Sequence, residues 1–375
     1  MKPATVVEVF AGCGGLSCGL SSAGYNVKIG VDLNAPAIDT FNYNHSHAGA
    51  TGMVADVREL DAKGLRAAAG LGRRRLDMLV GGPPCQPFSI IGKQKALDDE
   101  RGDLVFQFVR LVREMEPEAF IFENVANFAR IQNGEIAESV VSRLARAGYA
   151  VTSGVLDVSG YGVAQMRKRF LVIGSRSKQK ISFPEPTHGS TMLGQKPIVT
   201  CGEVLGDLPD VDTPGALDYR NHEGTTHSAA MIRMFEQLRP GTRDPKSHHD
   251  RLNADRPSYT IRAGNGNFTP LRPVHYQHNR VISVRESARI QSFPDHFAWP
   301  DDMSRLQQYR QVGNAVPPLF AAVIGRHIAT QLGFELDPEQ YGRASGRTDR
   351  ANVLSIEDQI ARRRQFIRGA STGRA

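Results

Sequence analysis

The residues best suited to chemistry surround Cys85, in Gly81-Gly82-Pro83-Pro84-Cys85-Gln86-Pro87-Phe88-Ser89, directly after the apolar run Leu76 to Val80. Prolines on both sides fix the backbone and withdraw donors, so the thiol belongs to a stiff loop rather than to a helix or strand interior. A structural cysteine packs more naturally inside an apolar run. A thiol displayed by a rigid loop at a strand end is placed as a nucleophile, although a merely tight turn has the same local pattern. Further stretches carry matching chemistry. Phe120-Ile121-Phe122 leads into Glu123-Asn124-Val125, an apolar strand that delivers a carboxylate to the sheet edge of Cys85. Gln165-Met166-Arg167-Lys168-Arg169 precedes the run Phe170 to Ile173. Later come Arg289-Ile290-Gln291-Ser292-Phe293-Pro294 and Gln311-Val312-Gly313-Asn314-Ala315-Val316-Pro317-Pro318.

A second group of residues has the character of a nucleotide site. The first strand-like run ends in Phe10-Ala11-Gly12-Cys13-Gly14-Gly15 and then enters a helical stretch. Its glycine spacing differs from the dinucleotide fingerprint G-x-G-x-x-G. Glycines at a strand-to-helix turn still let a ligand approach the backbone and the helix N-terminus. The next strand ends in Asp32, an acid placed to grip ribose hydroxyls, and Asp56 follows another strand-like run, Met53-Val54-Ala55. These residues fit an adenosine-type cofactor; a plain tight turn is the alternative.

The elements that must position these groups alternate. Strands are expected at Thr5–Phe10, Val27–Val31, Leu76–Val80, Ala119–Phe122, near Val151–Val158 and at Arg169–Gly174. Helices are expected at Leu16–Ala23, Ala35–Tyr43, Leu104–Met115, Ile136–Ala147 and Pro317–Leu332. Alternation of this kind predicts an α/β fold with a doubly wound, mostly parallel sheet. From 184 to 280 the texture turns irregular and rich in Pro, Gly, Asp, His and Arg. The expected organisation is therefore a catalytic and cofactor-binding domain over 1–183, a smaller irregular domain over 184–280, a return segment over 281–334 that completes the first domain, and a polar tail over 335–375.

Composition narrows the classes. The 375 residues are 40% hydrophobic and 23% charged, as in an ordinary globular protein with room for about two domains. No long apolar run spans a membrane, and the N-terminus lacks the apolar core of a secretory signal. Four cysteines do not make a disulfide framework, so the expected location is the reducing cytoplasm. The net charge of +7 is compatible with nucleic acid without requiring it. His222, His227, His248, His249 and Cys201 lack the paired spacing of a zinc site, so no metal is expected.

Taken together, the Pro-Cys loop, Glu-Asn-Val and Gln-x-Arg-x-Arg, in that order between about residues 6 and 330, resemble the bacterial-type DNA (cytosine-5)-methyltransferases. The resemblance implies a methyltransferase fold of Rossmann-like type and S-adenosylmethionine as methyl donor. Cys85 would be the nucleophile that adds to cytosine carbon 6. Glu123 would protonate or hydrogen-bond ring nitrogen N3, Arg169 would hold O2, and Arg167 would lie nearby. The cofactor would be lined by Phe10, Gly12, Gly14 and Gly15, with Asp32 at the ribose and Leu33 and Asp56 at the adenine. Pro84, Leu104 and Asn314 would complete its pocket. Position 32 departs from the family pattern, carrying aspartate where many members have glutamate. The irregular domain would recognise double-stranded DNA, with Gln165, Thr260 and Arg262 as substrate contacts, and Asn265 and Asn267 beside them. The target base must leave the duplex to meet Cys85.

The resemblance also implies a monomer, acting either with an endonuclease specific for the same site or alone. An RNA cytosine methyltransferase is the rival within this chemistry. A catalytically dead DNA-binding module is the rival outside it, and the intact Cys85, Glu123 and Arg169 set argues against that.

Overall fold

The computed structural model describes residues 2–84, 104–177, 179–191, 194–264, 272–337 and 339. Cys85, Asn265, Asn267 and the tail from 340 lie outside the described residues. The chain divides into two compact units. One comprises the described residues of Met1–Asp157, Lys168–Glu185 and Ala321–Thr348, the other those of Val158–Arg167 and Pro186–Phe320. The division falls inside the Gln165-to-Arg169 motif, and the 281–334 stretch is shared between the units at Phe320.

The first unit runs β1 (Thr5–Val9), α1 (Gly15–Ala23), β2 (Asn26–Asp32), α2 (Ala35–His45), β3 (Thr51–Val54), α3 (Ala62–Ala68), β4 (Met78–Gly81), α4 (Leu104–Met115), β5 (Ala119–Val125), α5 (Glu135–Arg146), β6 (Ala150–Asp157) and β7 (Lys168–Ser175). The seven strands form one sheet in the order β3-β2-β1-β4-β5-β7-β6. β1 to β5 pair in parallel and β7 runs antiparallel to both neighbours. Every residue of β1 and β4 is buried, as expected of strands covered on both faces.

Helical spacing accounts for α4, which buries Val105, Phe108, Val109, Val112 and Met115. In α5 the acids Glu135 and Glu138 occupy the first turn and Arg143 and Arg146 the last, in keeping with the helix dipole. Phe108, Phe122, Phe128 and Phe170 pack in series, each ring 5.5 Å from the next. This aromatic seam joins α4 to β5 and β7 and fixes the strands that carry the acid and the arginine.

Strand order reverses between β1 and β4. Ligands of open α/β sheets bind at the carboxyl ends of the strands flanking such a reversal. Those ends lead into Phe10 to Gly15 after β1, Gly82 to Pro84 after β4, and Glu123 near the end of β5.

The second unit contains α6 (Cys201–Leu205), α7 (Ala229–Gln237), β8 (Asp250–Arg251), β9 (Pro273–Val274), α8 (Val284–Ile290), α9 (Arg305–Asn314) and the start of α10 (Pro318–Leu332), which from Ala321 onward belongs to the first unit. Its apolar core is small: Val199, Val204, Leu205, Leu252, Ile261, Ile282 and Ile290 are among its members. Buried ion pairs supplement it. Arg280 bridges Asp210 and Glu286, each at 2.9 Å, and Arg289 bridges Asp207 at 2.6 Å and Asp295 at 2.8 Å. In the first unit, Tyr25 Oη donates to the Gly325 carbonyl of α10 at 2.8 Å. Among the described residues no helix is long and apolar enough to cross a membrane.

Candidate active site

The turn after β1 is built from left-handed backbone. Phe10, Gly12 and Gly14 have φ of 58°, 54° and 86°. Phe10 bears a side chain in this region, which costs free energy, and that side chain packs against the sheet core. Gly14 is needed for a second reason. A Cβ there would lie 2.5 Å from His45 Nε2 and 2.7 Å from Phe41, whereas a Cβ at Gly12 would meet nothing within 4 Å. One side of the turn is thus packed and the other is open.

Two further groups hold this turn. Gly14 precedes α1 and provides no side-chain cap. Glu8, from β1, takes that role: its Oε2 accepts from the Ser17 amide at 3.0 Å and also from the Ser17 hydroxyl. Burial pushes the Glu8 carboxyl up to about 8. His45, the last residue of α2, places Nε2 3.2 Å from the Gly14 carbonyl, and burial pulls its imidazole down to about 4, so the neutral ring donates. Neither residue was singled out by sequence; an acid inside an apolar strand was the available signal for Glu8.

Asp32 ends β2 and is partly exposed. Its Oδ2 accepts from the Gly12 amide at 2.8 Å and its Oδ1 from the Asn34 amide at 2.8 Å. Each oxygen keeps a further lone pair for a hydroxyl donor. Leu33 is 64% exposed, an apolar side chain held in water beside this acid. Asp56 is engaged by Arg58, whose amide donates to Oδ1 at 2.9 Å and whose Nε lies 3.0 Å from both carboxylate oxygens. Hydrogen bonds from the Arg58 side chain hold the Asp56 carboxyl below its ordinary value. Leu104 is the first residue of α4 and half-buried, and Pro84 is exposed.

The chemistry end lies at β4, β5 and β7. Glu123 Oε1 and Arg169 Nε are 2.7 Å apart, with both side chains about nine-tenths covered. Burial pulls the Arg169 guanidinium down, and the Glu123 charge opposes that shift. Arg169 Nη1 donates to the Lys168 carbonyl at 2.9 Å. Asn124, whose side chain received no role from sequence, donates Nδ2 to the Pro83 carbonyl at 2.9 Å. It therefore ties the Gly82-to-Pro84 segment to the strand that carries Glu123. A Cβ at Gly82 would come 3.0 Å from Glu123 Oε2, so glycine permits the close approach. Cys85 itself follows in the chain, outside the described residues.

Gln165, Arg167, Thr260, Arg262 and Asn314 belong to the second unit. Arg167, expected beside substrate, is 2% exposed. Its guanidinium donates to the carbonyls of Ile261 at 2.9 Å, Gly313 at 2.8 Å and Ala315 at 3.3 Å. Gln165 accepts from the Ile261 amide at 3.0 Å and donates to Gln291, which donates to Ala315 at 2.7 Å. These polar groups bind protein backbone and fix the 260–263 and 312–315 segments. Thr260 Oγ1 donates to the Met166 carbonyl at 2.8 Å. Arg262 is exposed and lines a cavity of about 720 Å³, and Asn314 is the exposed last residue of α9. Among the described residues no three His, Cys, Asp or Glu side chains gather to hold a metal ion.

This geometry sits in a chain whose residues 4–330 match the model of the C-5 cytosine-specific DNA methylases. The chain belongs to that family. The methylase is 32% identical over 372 residues to the type II methyltransferase M.XorII of Xanthomonas oryzae pv. oryzae, covering 87% of this chain and 84% of that one. It is 32% identical over 340 residues to the type II methyltransferase M1.HphI of Haemophilus parahaemolyticus, covering 86% of each. Among solved structures it is similar to a candidate DNA modification methyltransferase encoded within an E. coli prophage. There the TM-score is 0.73 and the identity 26%, over 88% of this chain and 99% of that one. The methylase is thus a DNA (cytosine-5-)-methyltransferase, and the family implies S-adenosylmethionine as donor and DNA as substrate.

Proposed function

We propose that Cys85, Glu123 and Arg169 carry the transfer of a methyl group from S-adenosylmethionine to carbon 5 of an extrahelical cytosine in a short, specific DNA sequence. The observation that carries this assignment is the Glu123–Arg169 pair, with Asn124 tying the pair's strand to the Pro83 carbonyl two residues before Cys85.

Cytosine carbon 5 is a weak nucleophile until a thiolate adds to carbon 6. Bond formation from Cys85 pushes an electron pair into the ring, and carbon 5 becomes enamine-like. Glu123 hydrogen-bonds or protonates N3 as that charge develops. Arg169, with Nε committed to Glu123, keeps Nη2 for the cytosine O2 and adds fixed positive charge. After transfer a base takes the carbon-5 proton, the electron pair reforms the ring double bond, and the Cys85 thiolate leaves.

The turn after β1 suits the nucleoside part of the donor. Gly12 has open space, Asp32 has acceptor capacity for ribose hydroxyls, and Leu33 offers an exposed apolar face for adenine. Phe10, Gly14 and Gly15 would line the amino-acid and adenosine side, with Asp56 at the adenine and Pro84 and Leu104 completing the pocket. The donor, when bound, supplies an electrophilic methyl group. Residues 184–280 form the target-recognition region, where Thr260 and Arg262 meet DNA and Gln165 and Arg167 hold the backbone behind them. The enzyme acts as a cytoplasmic monomer, either with an endonuclease specific for the same site or alone.

The test is transfer of tritiated methyl to unmethylated genomic DNA and, separately, to bulk tRNA, with bisulfite sequencing of the product. Label at cytosine carbon 5 within one short DNA motif, abolished by Cys85→Ala while donor binding persists, is the expected result. Label confined to tRNA would move the activity to RNA, and transfer surviving in Cys85→Ala would remove the covalent route.

A further inference from the structure

The cavity in the second unit has a feature that its expected DNA contacts do not use. Arg243 and Asp250 face each other across an isolated antiparallel bridge, at the base of a turn closed by Asp244. Arg243 Nε lies 2.6 Å from Asp250 Oδ1, and Arg243 Nη2 lies 2.8 Å from Asp250 Oδ2. The Asp250 amide in turn donates to the Arg272 carbonyl at 3.0 Å, which ties the pair to the strand ladder β8–β9. Asp250 is covered while the Arg243 side chain is 48% exposed, and both line the cavity with Tyr259, Arg262 and Arg272.

We infer that Arg243, held in plane by Asp250, reads a guanine edge in the target DNA and is a specificity-determining residue of this enzyme. The inference rests on the DNA methyltransferase reading above. A guanidinium presents its donors in a rigid planar fork. Asp250 occupies the edge formed by Nε and the inner Nη2 hydrogen, and so fixes the guanidinium plane and removes rotamer freedom. The remaining edge, Nη1 with the outer Nη2 hydrogen, is a parallel pair of donors that matches O6 and N7 of guanine.

Charge favours a base over a phosphate. Phosphate contacts are made by uncompensated cations, which gain by displacing counterions. The Arg243 charge is already offset by the Asp250 carboxylate in direct contact, whereas the exposed Arg262 lines the same cavity and is suited to the backbone. A buttressed arginine loses attraction for an anion but keeps directed donors, the property that distinguishes bases.

The experiment uses the full-length enzyme and duplexes with randomised sequence around a cytosine. Wild type, Arg243→Lys and Asp250→Asn are compared by bisulfite sequencing of methylated products and by sequencing of duplexes selected through binding. Lysine keeps the charge without the fork; asparagine keeps the shape and replaces an acceptor by a donor. The expected result is relaxed discrimination at a single guanine position, by about tenfold to a hundredfold, in both variants, with the other positions of the motif unchanged. The binding selection makes the same reading where transfer is slow. A uniform loss across all sequences, with a shallower salt dependence, would overturn the inference in favour of a phosphate contact. An unchanged motif in Arg243→Lys would overturn it outright. A wild-type enzyme that methylates no DNA would overturn the functional reading itself, and that failure is visible before any variant is compared.

Discussion

Glu123 and Arg169 meet diagonally across the antiparallel β5–β7 ladder. Glu123 faces Leu171 and Arg169 faces Val125, so the acid and the guanidinium project from the same face, two positions apart in register. That placement brings Glu123 Oε1 to 2.7 Å from Arg169 Nε in a nearly dry setting. Antiparallel β7 is what makes this possible, because it returns Arg169 to the sheet end where β5 delivers Glu123.

The pair predicts the effect of substitution on either side. Glu123→Gln keeps the shape and removes the proton donor, and should lower the single-turnover methyl-transfer rate by about a hundredfold to ten-thousandfold. It also leaves the buried Arg169 without its carboxylate, so this variant too should lose stability. Arg169→Ala leaves a buried carboxylate unpaired and should also destabilise the protein, by about 3–5 kcal/mol. A single-turnover rate close to that of wild type in folded Glu123→Gln would count against the catalytic role of Glu123.

Gly14 should tolerate no side chain. Its φ of 86° disfavours one, and a Cβ would enter the space of His45 Nε2 and Phe41. Gly14→Ala is expected to cost about 1–3 kcal/mol through overpacking and to weaken donor binding at least tenfold by displacing the turn. Calorimetric titration with S-adenosylmethionine and thermal unfolding would read the two effects. Wild-type affinity in a folded Gly14→Ala protein would show that this turn does not hold the donor.

Glu8 makes stability fall with rising pH. The unfolded carboxyl ionises near 4.5, while the folded one keeps its proton up to about 8 because burial penalises the charge. The folded state binds more protons across that interval, so stability is greatest below 4.5 and is lost as pH rises towards 8. His45 acts in the opposite sense at the acid end, but it is common to wild type and variant. Glu8→Gln should therefore be the more stable form at pH 8 relative to its own stability at pH 5. Unfolding in urea at both values checks this, and parallel pH profiles for the two proteins would refute it.

Much of this arrangement could be read from residue order alone. Apolar periodicity located the α4 helix and its end at Met115, and the short β5 run, expected to stop at Phe122, continues through Glu123 to Val125. What sequence could not show was direction and burial. Nothing in Arg169 to Gly174 announces an antiparallel strand, since apolar runs of either direction look alike. Arg167 and Gln165 share the motif of Arg169, and residue type suggested solvent or substrate; burial instead turns them to backbone carbonyls and amides of the same unit. Two groups that support the site act through side-chain-to-backbone bonds, Glu8 to the Ser17 amide nine residues on and Asn124 to the Pro83 carbonyl 41 residues back. The Asn124 bond leaves no local pattern, whereas Glu8 stands out only as an acid inside an apolar strand.

Glu286 sets the opposite pH limit, in the second unit. Burial alone would raise its carboxyl, but hydrogen bonds and charge from Arg280 override that and hold it at about 2. A carboxyl that ionises more readily when folded than when unfolded contributes stability above 4.5, and that stability drains away as pH falls towards 2. Glu286 also accepts from the Ser283 amide in the capping box that starts α8. Glu286→Gln should cost about 3–5 kcal/mol at neutral pH, because Arg280 then keeps only the partly exposed Asp210 as an ionic partner. The variant should also lose stability less steeply than wild type between pH 5 and pH 3, since the titrating group is gone. Chemical unfolding followed through Trp299, which is buried in this unit, gives a local readout. If wild type and Glu286→Gln weaken in parallel on acidification, the Arg280–Glu286 pair is not what fails in acid, and the carboxylates of Asp207, Asp210 and Asp295 become the groups to titrate.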